Sequence, residues 1–353
     1  MHDSHPTGSR ILITGGAGYI GSHTTLALMQ AGYEVIVVDN FCNSSPEVFN
    51  RIEQLAGRTP TWVQGDVRDV VFLQRLLSEH AIDAVLHFAG LKAVGESVQQ
   101  PLQYYENNVA GTLQLCLAMK QAGVRRLVFS SSAAVYGAQE QMPIGEDAPT
   151  QSPTNPYGRS KLMVEELLRD LAQSDSTWHI AVLRYFNPVG AHESGLLGED
   201  PCGIPNNLLP YISQVAVGKL KVLSVFGDDY ATPDGTGIRD YIHVMDLAHG
   251  HLRALDALTT RDGFNIWNLG TGRGYSVLEL LQAFERASGK SVAYQIVPRR
   301  AGDIAQSWAD ASKAQRELGW KAERGLQAMM VDTWRWQSRN PRGYAQSTTG
   351  GQT

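Results

Sequence analysis

The sequence predicts an α/β protein: a doubly wound parallel sheet joined to a smaller C-terminal α/β lobe. Three observations carry that reading. Short β-branched runs alternate with helical patterns through the first half. A glycine-rich string, Gly-Gly-Ala-Gly-Tyr-Ile-Gly at 15–21, stands where the first strand should turn into the first helix. After Tyr185 the rhythm breaks, and Gly, Pro and Asn become frequent between Asn187 and Asn207.

The strand-like runs are Ile11–Thr14, Glu34–Asp39, Thr61–Gln64, Ala84–Ala89, Arg126–Ser130 and His179–Arg184. They are nearly free of polar residues, as expected of strands covered on both faces. Helical patterns lie between them, among others Ser22–Ala31, Val70–His80 and Val109–Gln121. Strand, helix and parallel strand in succession imply right-handed crossovers. A later run, Phe264–Leu269, is expected to return to the large sheet. The organisation expected is a flexible tail over 1–9, a Rossmann-type dinucleotide domain over 10–184, a mainly substrate-binding lobe over 185–337, and a polar, Gly-rich, disordered tail over 338–353.

Composition narrows the class. With 353 residues, 43% apolar and 18% charged, the chain can build a large core. A formal net charge of −5 argues against a basic nucleic-acid surface. Cys42, Cys116 and Cys202 are odd in number and widely spaced, which fits neither a disulfide framework nor zinc and points to a reducing cytoplasm. Met1–Ser9 lacks a leader's apolar stretch, and no apolar run approaches the roughly 18 residues of a membrane span. His243, His249 and His251 are the one histidine cluster, but 249 and 251 would point apart on a helix, so no metal site is expected.

The glycine string has a mechanism. Gly15, Gly18 and Gly21 permit a tight turn, close approach to a pyrophosphate and close helix–strand packing. The N-terminus of the first helix would aim its free N–H groups at the phosphates, with Tyr19 and Ile20 of the string also counted as cofactor-binding. Asp39, ending the second strand, would bind ribose hydroxyls and repel a 2′-phosphate. No arginine lies between it and Arg51, so the expected cofactor is NAD rather than NADP. Further on, Tyr-Gly-Arg-Ser-Lys at 157–161 puts Tyr157 and Lys161 on one helix face. A tyrosine serves as a base near neutral pH only if its pKa of about 10 is lowered, and a neighbouring ammonium and a positive nicotinamide both act that way. Ser132, in Ser-Ser-Ser-Ala-Ala-Val-Tyr-Gly at 130–137, would stand at the C-terminal sheet edge, able to bond a reacting substrate oxygen.

Glycine fingerprint, serine and Tyr-x-x-x-Lys in this order resemble the extended short-chain dehydrogenases/reductases. Longer strings resemble the UDP-sugar 4-epimerase branch of that family: 88–97, 185–192, 234–248, 298–303 and 308–314. The resemblance runs from about Arg10 to Trp320. It implies an isomerase acting on a UDP-sugar and holding NAD, which interconverts the glucose and galactose forms through a transient 4-keto sugar. It implies Tyr157, Lys161 and Ser132 as the catalytic group. It places Asp39 and Asn40 by the adenosine ribose, Asp66 and Val67 by the adenine, Lys92 near the phosphates, and Phe88, Ala89, Asn107 and Phe186 elsewhere around the cofactor. Asn187, Asn207, Phe226, Arg239, Arg300 and Asp303 would hold the nucleotide-sugar, the two guanidinium groups suiting a pyrophosphate. Ser307 would line the sugar pocket beside C2, where a small residue admits N-acetyl sugars. A homodimer paired through 101–121 and 156–172 is also implied.

Three other readings share parts of this pattern. A 4,6-dehydratase relative carries an Asp-Glu pair after the catalytic hydroxyl residue, whereas Ala133 and Ala134 follow Ser132 here. A reductase would consume NADH. A non-catalytic NAD sensor would usually lack the Tyr/Lys pair.

Overall fold

The computed structural model describes residues 8–150, 153–300 and 302–345. Seven parallel strands make the large sheet: β1 (Arg10–Thr14), β2 (Glu34–Asp39), β3 (Thr61–Gln64), β4 (Ala84–His87), β5 (Arg126–Ser130), β6 (His179–Tyr185) and, much later, β10 (Gly263–Leu269). Their spatial order is β10-β6-β5-β4-β1-β2-β3, so the order reverses between β1 and β4. That reversal opens a crevice at the C-terminal strand ends, where ligands bind in such sheets.

The sequence explains most of this locally. Leu12, Ile13, Val85, Leu86, Leu127 and Val128 are fully buried, because helices cover both faces. β3 departs from that expectation: as the edge strand it exposes Thr61 and Trp62. β4 stops at His87, short of the expected Ala89. The N–H groups of Phe88 and Ala89 turn aside to share the Thr14 carbonyl at 2.9 and 3.0 Å. Among the described residues, the first half holds seven α-helices: α1 (Tyr19–Gln30), α2 (Glu47–Ala56), α3 (Val70–His80), α4 (Val94–Gln99), α5 (Pro101–Tyr104), α6 (Gly111–Ala122) and α7 (Pro156–Ser174). A π-helical turn, Tyr105–Ala110, joins α5 to α6.

The second half is built of shorter pieces: β7 (Asn187–Val189), α8 (Leu208–Ala216), β8 (Leu223–Phe226), β9 (Ile238–His243), β11 (Gly274–Ser276), α10 (Val277–Ser288), β12 (Tyr294–Val297), β13 (Gln306–Ser307) and α11 (Ser312–Leu318). β9 gathers β7, β11 and β13, while β8 pairs with β12. Two pieces return to the large sheet. β10 pairs with β6 along its whole length, and α9 (Val244–Ala257) lies on α1. Residues 185–337 therefore do not all belong to one small lobe.

The end of the chain differs from the disordered tail expected from Ser338. α12 (Leu326–Arg339) continues past that point. Tyr344 is buried, its hydroxyl donates to the Gly198 carbonyl at 3.1 Å, and its N–H donates to Asp200 at 2.8 Å. One aromatic anchor outweighs the polar composition around it. The expected tails over 1–7 and 346–353 lie outside the described residues.

Candidate active site

A cavity of about 840 Å³ runs along the crevice. Its floor is the β1–α1 turn. Gly15 has φ +71°, and a Cβ there would meet the Ala89 nitrogen at 2.6 Å. A Cβ on Gly21 would meet the Gly15 carbonyl oxygen at 2.3 Å. Only hydrogen fits at either place, so β1, α1 and the strand-end at Ala89 pack closely. Gly18 caps α1 from an extended conformation, which starts the helix at Tyr19, before the expected Ser22, and leaves its first N–H groups facing the cavity.

At one end stands Asp39. Its carboxylate accepts the Ala17 N–H (3.0 Å), the Phe41 N–H (2.9 Å) and the Ser44 hydroxyl (2.8 Å), and so fixes both lips of the turn. Asn40 and Val67 line the wall beside it. Asp66 does not reach the cavity. It stands behind Asn40, accepting its amide at 3.1 Å and clamping Arg68, whose guanidinium holds the carboxyl far below the usual range.

At the other end Tyr157 and Lys161 project from α7. The Lys161 ammonium donates to the Ser130 carbonyl at 2.7 Å. Burial pushes its pKa down to about 8, against the pull of Glu165. Burial raises that of Tyr157, and a hydrogen bond with Ser132 opposes the rise. The lowered tyrosine expected from sequence is therefore absent from the chain by itself: desolvation of the phenolate exceeds what the chain's own groups return. A cation bound against the ring would reverse that balance. Ser132 caps the short turn Ala133–Tyr136 through the Ala134 N–H.

Between these ends lie Phe88, Ala89, Lys92 and Asn107. Lys92 donates to Glu199 at 3.0 Å, and so does Asn207, at 2.8 Å. Phe186 is not in the cavity wall; it packs with Val135, Tyr136, Ile144 and Ala309. The remaining sugar-side residues group on the second half. Arg239 and Ser307 are direct neighbours in the β9–β13 pairing, and Asn187 faces Tyr241 across β7–β9. Arg300 lies over the Phe226 ring at 4.7 Å and bonds Asp303 at 3.0 Å. Of this set only Asn207 borders the cavity itself.

Residues 12–333 match the family model described as GDP-mannose 4,6 dehydratase. A UDP-glucose 4-epimerase of Erwinia amylovora is 60% identical over 333 residues, 94% of this chain and 99% of its own. The chain belongs to the UDP-glucose 4-epimerase family. Its bovine member is 56% identical over 95% of this chain and 98% of its own. The solved epimerase of Bifidobacterium longum, in complex with NAD+ and UDP, superposes with a TM-score of 0.93 at 55% identity, covering 95% of this chain and all of that one. The Stenotrophomonas maltophila epimerase, with NAD and a formylated UDP-arabinopyranose, gives 0.92 at 56%, covering 95% and 99%.

Within this epimerase, sequence reasoning missed three groups. Asn108, in the π-helical turn, accepts the Leu91 N–H at 2.8 Å and donates to the Leu91 carbonyl and to Ser160. It holds the cavity wall, and Asn107, which borders the cavity, donates its amide to the Asn108 Oδ1 at 3.0 Å. A π turn at a functional site has no sequence period to betray it. Glu199 lies in an irregular loop without pattern. Glu165 was legible in principle, one turn after Lys161 on the same face. Of the clustered histidines, His251 bonds Ser130 at 2.9 Å and His243 bonds Asp332 at 3.2 Å. Among the described residues, no helix is long and apolar enough to cross a membrane.

Proposed function

We propose that the chain is an NAD-dependent isomerase interconverting UDP-glucose and UDP-galactose, with Tyr157, Lys161 and Ser132 as its catalytic group. One observation carries this reading: the cavity that begins at the Asp39 carboxylate ends at the Tyr157–Lys161 pair. The glycine cradle, the α1 N-terminus and Asp39 fit a dinucleotide with free ribose hydroxyls. Bound there, NAD would supply the acceptor and then the donor of the hydride at C4 of the sugar. Tyr157 takes the proton from the 4-hydroxyl and returns it after the 4-keto sugar has turned over. Ser132 bonds the reacting oxygen. Lys161 places its charge behind the phenol, held by the Ser130 carbonyl. Asn187, Asn207, Phe226, Arg239, Arg300 and Asp303 anchor UDP while the sugar rotates. No net redox change occurs, so the cofactor stays bound.

The Ala133-Ala134 pair leaves a 4,6-dehydration without its acid and base. The test is to incubate the pure protein with UDP-galactose and no added NAD. UDP-glucose should appear, and Tyr157→Phe should lower turnover by about 10²-fold or more with NAD content intact. A variant keeping more than about a tenth of the activity would remove Tyr157 from the role.

Three finer readings go with this. Ser307, buried beside Arg239, leaves room for an acetamido group, so the N-acetylated UDP-hexoses are also substrates. The protein is a homodimer paired through α5–α6 and α7. Supporting this, Val98, Leu102, Leu117 and Met163 are exposed on α4 to α7, Leu102 at 82%. Light scattering giving only the monomer mass would refute it. It works in the cytoplasm, where Cys42, Cys116 and Cys202 stay free thiols.

A further inference from the structure

Glu165 and Arg184 form an ion pair sealed from solvent, 0% and 2% exposed. The Arg184 Nη2 donates to Glu165 Oε2 at 2.6 Å, and Nε donates to Oε1 at 3.0 Å. A buried pair of this kind is seldom more stabilising than apolar side chains of the same volume. Its other bonds lead to the active site. Glu165 Oε1 accepts the Ser131 hydroxyl at 2.5 Å. Ser131 lies between Ser130, whose carbonyl receives the Lys161 ammonium, and Ser132. Glu165 itself stands one turn beyond Lys161 on α7. One carboxylate thus ties the helix carrying Tyr157 and Lys161 to the strand end carrying the two groups they work with.

The arginine extends the tie in the other direction. Its Nη1 donates to the Tyr136 hydroxyl at 3.1 Å, which donates to Asn268 Oδ1 at 2.7 Å. The Asn268 amide donates to the Ile144 carbonyl at 2.9 Å, and the Ile144 N–H donates to the Trp308 carbonyl at 2.9 Å. Trp308 adjoins Ser307. We propose that Glu165, acting through Ser131 and Arg184, is a positioning residue that sets the register of Ser132, Tyr157 and Lys161 and links it to the sugar-side segment 306–309. The inference rests on the epimerase reading of the site. Every link from Ser131 to Ile144 is buried and hydrogen-bonded, and only Trp308 at the end is half-buried, so the chain of bonds is stiff. Small losses of register at reacting atoms cost large factors in rate.

Ser131→Ala tests this most cleanly, because it removes the bond to Ser131 and leaves the ion pair whole. Glu165→Gln combined with Arg184→Gln removes both charges and leaves no unpaired arginine in the interior. Ser131→Thr keeps the hydroxyl. Two quantities are read on each purified holoenzyme: kcat and KM for UDP-galactose, and the Tyr157 phenolate titration, as difference absorbance against Tyr157→Phe. Ser132 bonds Tyr157 on the side of the phenolate, so losing its register should raise the midpoint. Lys161 on α7, Tyr104 on α5 and Tyr185 on β6 also face Tyr157; Ser131→Ala alters none of them, whereas the double variant also removes the Glu165 charge that raises the Lys161 pKa, so Ser131→Ala decides the midpoint. Ser131→Ala and the double variant should each lower kcat about tenfold with little change in KM, and raise the midpoint. Ser131→Thr should restore both. Wild-type kcat with an unmoved midpoint in Ser131→Ala would overturn the proposal, and so would a loss confined to KM. A wild-type protein inactive on UDP-galactose would sink the functional reading instead, and the midpoints would still decide the positioning role.

Discussion

Replacing Gly21 by alanine tests the cofactor cradle with a single methyl group. Gly21 sits in α1 with ordinary helical torsions, so alanine brings no backbone strain, and its effect is contact alone. The added carbon would stand 2.3 Å from the Gly15 carbonyl oxygen and 2.8 Å from the Gly16 Cα. Atoms in ordinary contact are about 3.5 Å apart, so α1 and the turn must separate by about 1 Å. Both neighbours are backbone, so no side chain can step aside. Overpacking of this size costs about 1–3 kcal/mol of stability. The same shift takes the N–H groups of Gly18 and Tyr19 out of reach of a phosphate. A loss of about 2 kcal/mol there weakens NAD binding by about 30-fold. The assay is the NAD content of purified protein, released by denaturation, with the melting temperature of the same sample. Gly95→Ala is the control: it also lines the cavity, but an added Cβ meets nothing within 4 Å. Full NAD content in Gly21→Ala, with an unchanged melting temperature, would refute the steric reasoning.

Asp39→Ala should lower both NAD retention and the discrimination against NADP, and should also lower the melting temperature, because three donors lose their acceptor; unchanged retention after purification would count against the assignment. Ser307→Tyr should abolish turnover of the N-acetylated UDP-hexoses and spare the plain ones, since the ring fills the space an acetamido group needs; equal loss of both would indicate general disruption of the lobe. Acid should destabilise the fold early. His23 and His87 are buried, and burial lowers their pKa from 6.5 to about 3. Folding then excludes protons that the unfolded chain would bind, so the stability present above pH 6.5 is lost as pH falls toward 3. A melting temperature that stays flat from pH 6.5 to 4 would contradict this.

The parallel strands were readable because a strand buried on both faces must be an apolar run, and Leu12–Ile13 or Leu127–Val128 admit little else. The glycine cradle was readable for the same kind of reason: a contact of 2.3 Å allows one residue type. What could not be read depends on partners distant in sequence. Asp66 looks like a ligand group until Asn40 and Arg68 are seen to occupy it. Phe186 sits beside the site residues in sequence but turns into an apolar cluster with Ala309. Tyr344 is an aromatic residue in a polar tail, and only the Gly198 loop 146 residues away explains its burial. Glu165 carried the clearest unused signal, an acid one turn after the candidate catalytic lysine.

The late return of α9 and β10 bears on how the protein can be made. α1 is buried from Gly21 to Met29, and one of the elements covering it is α9. The free edge of β6 is closed only by β10, which ends at Leu269. A chain leaving the ribosome therefore carries a nucleotide-binding half with an open sheet edge and an apolar helix for more than 80 further residues, from Tyr185 to Leu269. A fragment cut after Tyr185 is stranded in that condition permanently, so the first half is not a separable module, and a nonsense codon before Leu269 yields a product prone to aggregate.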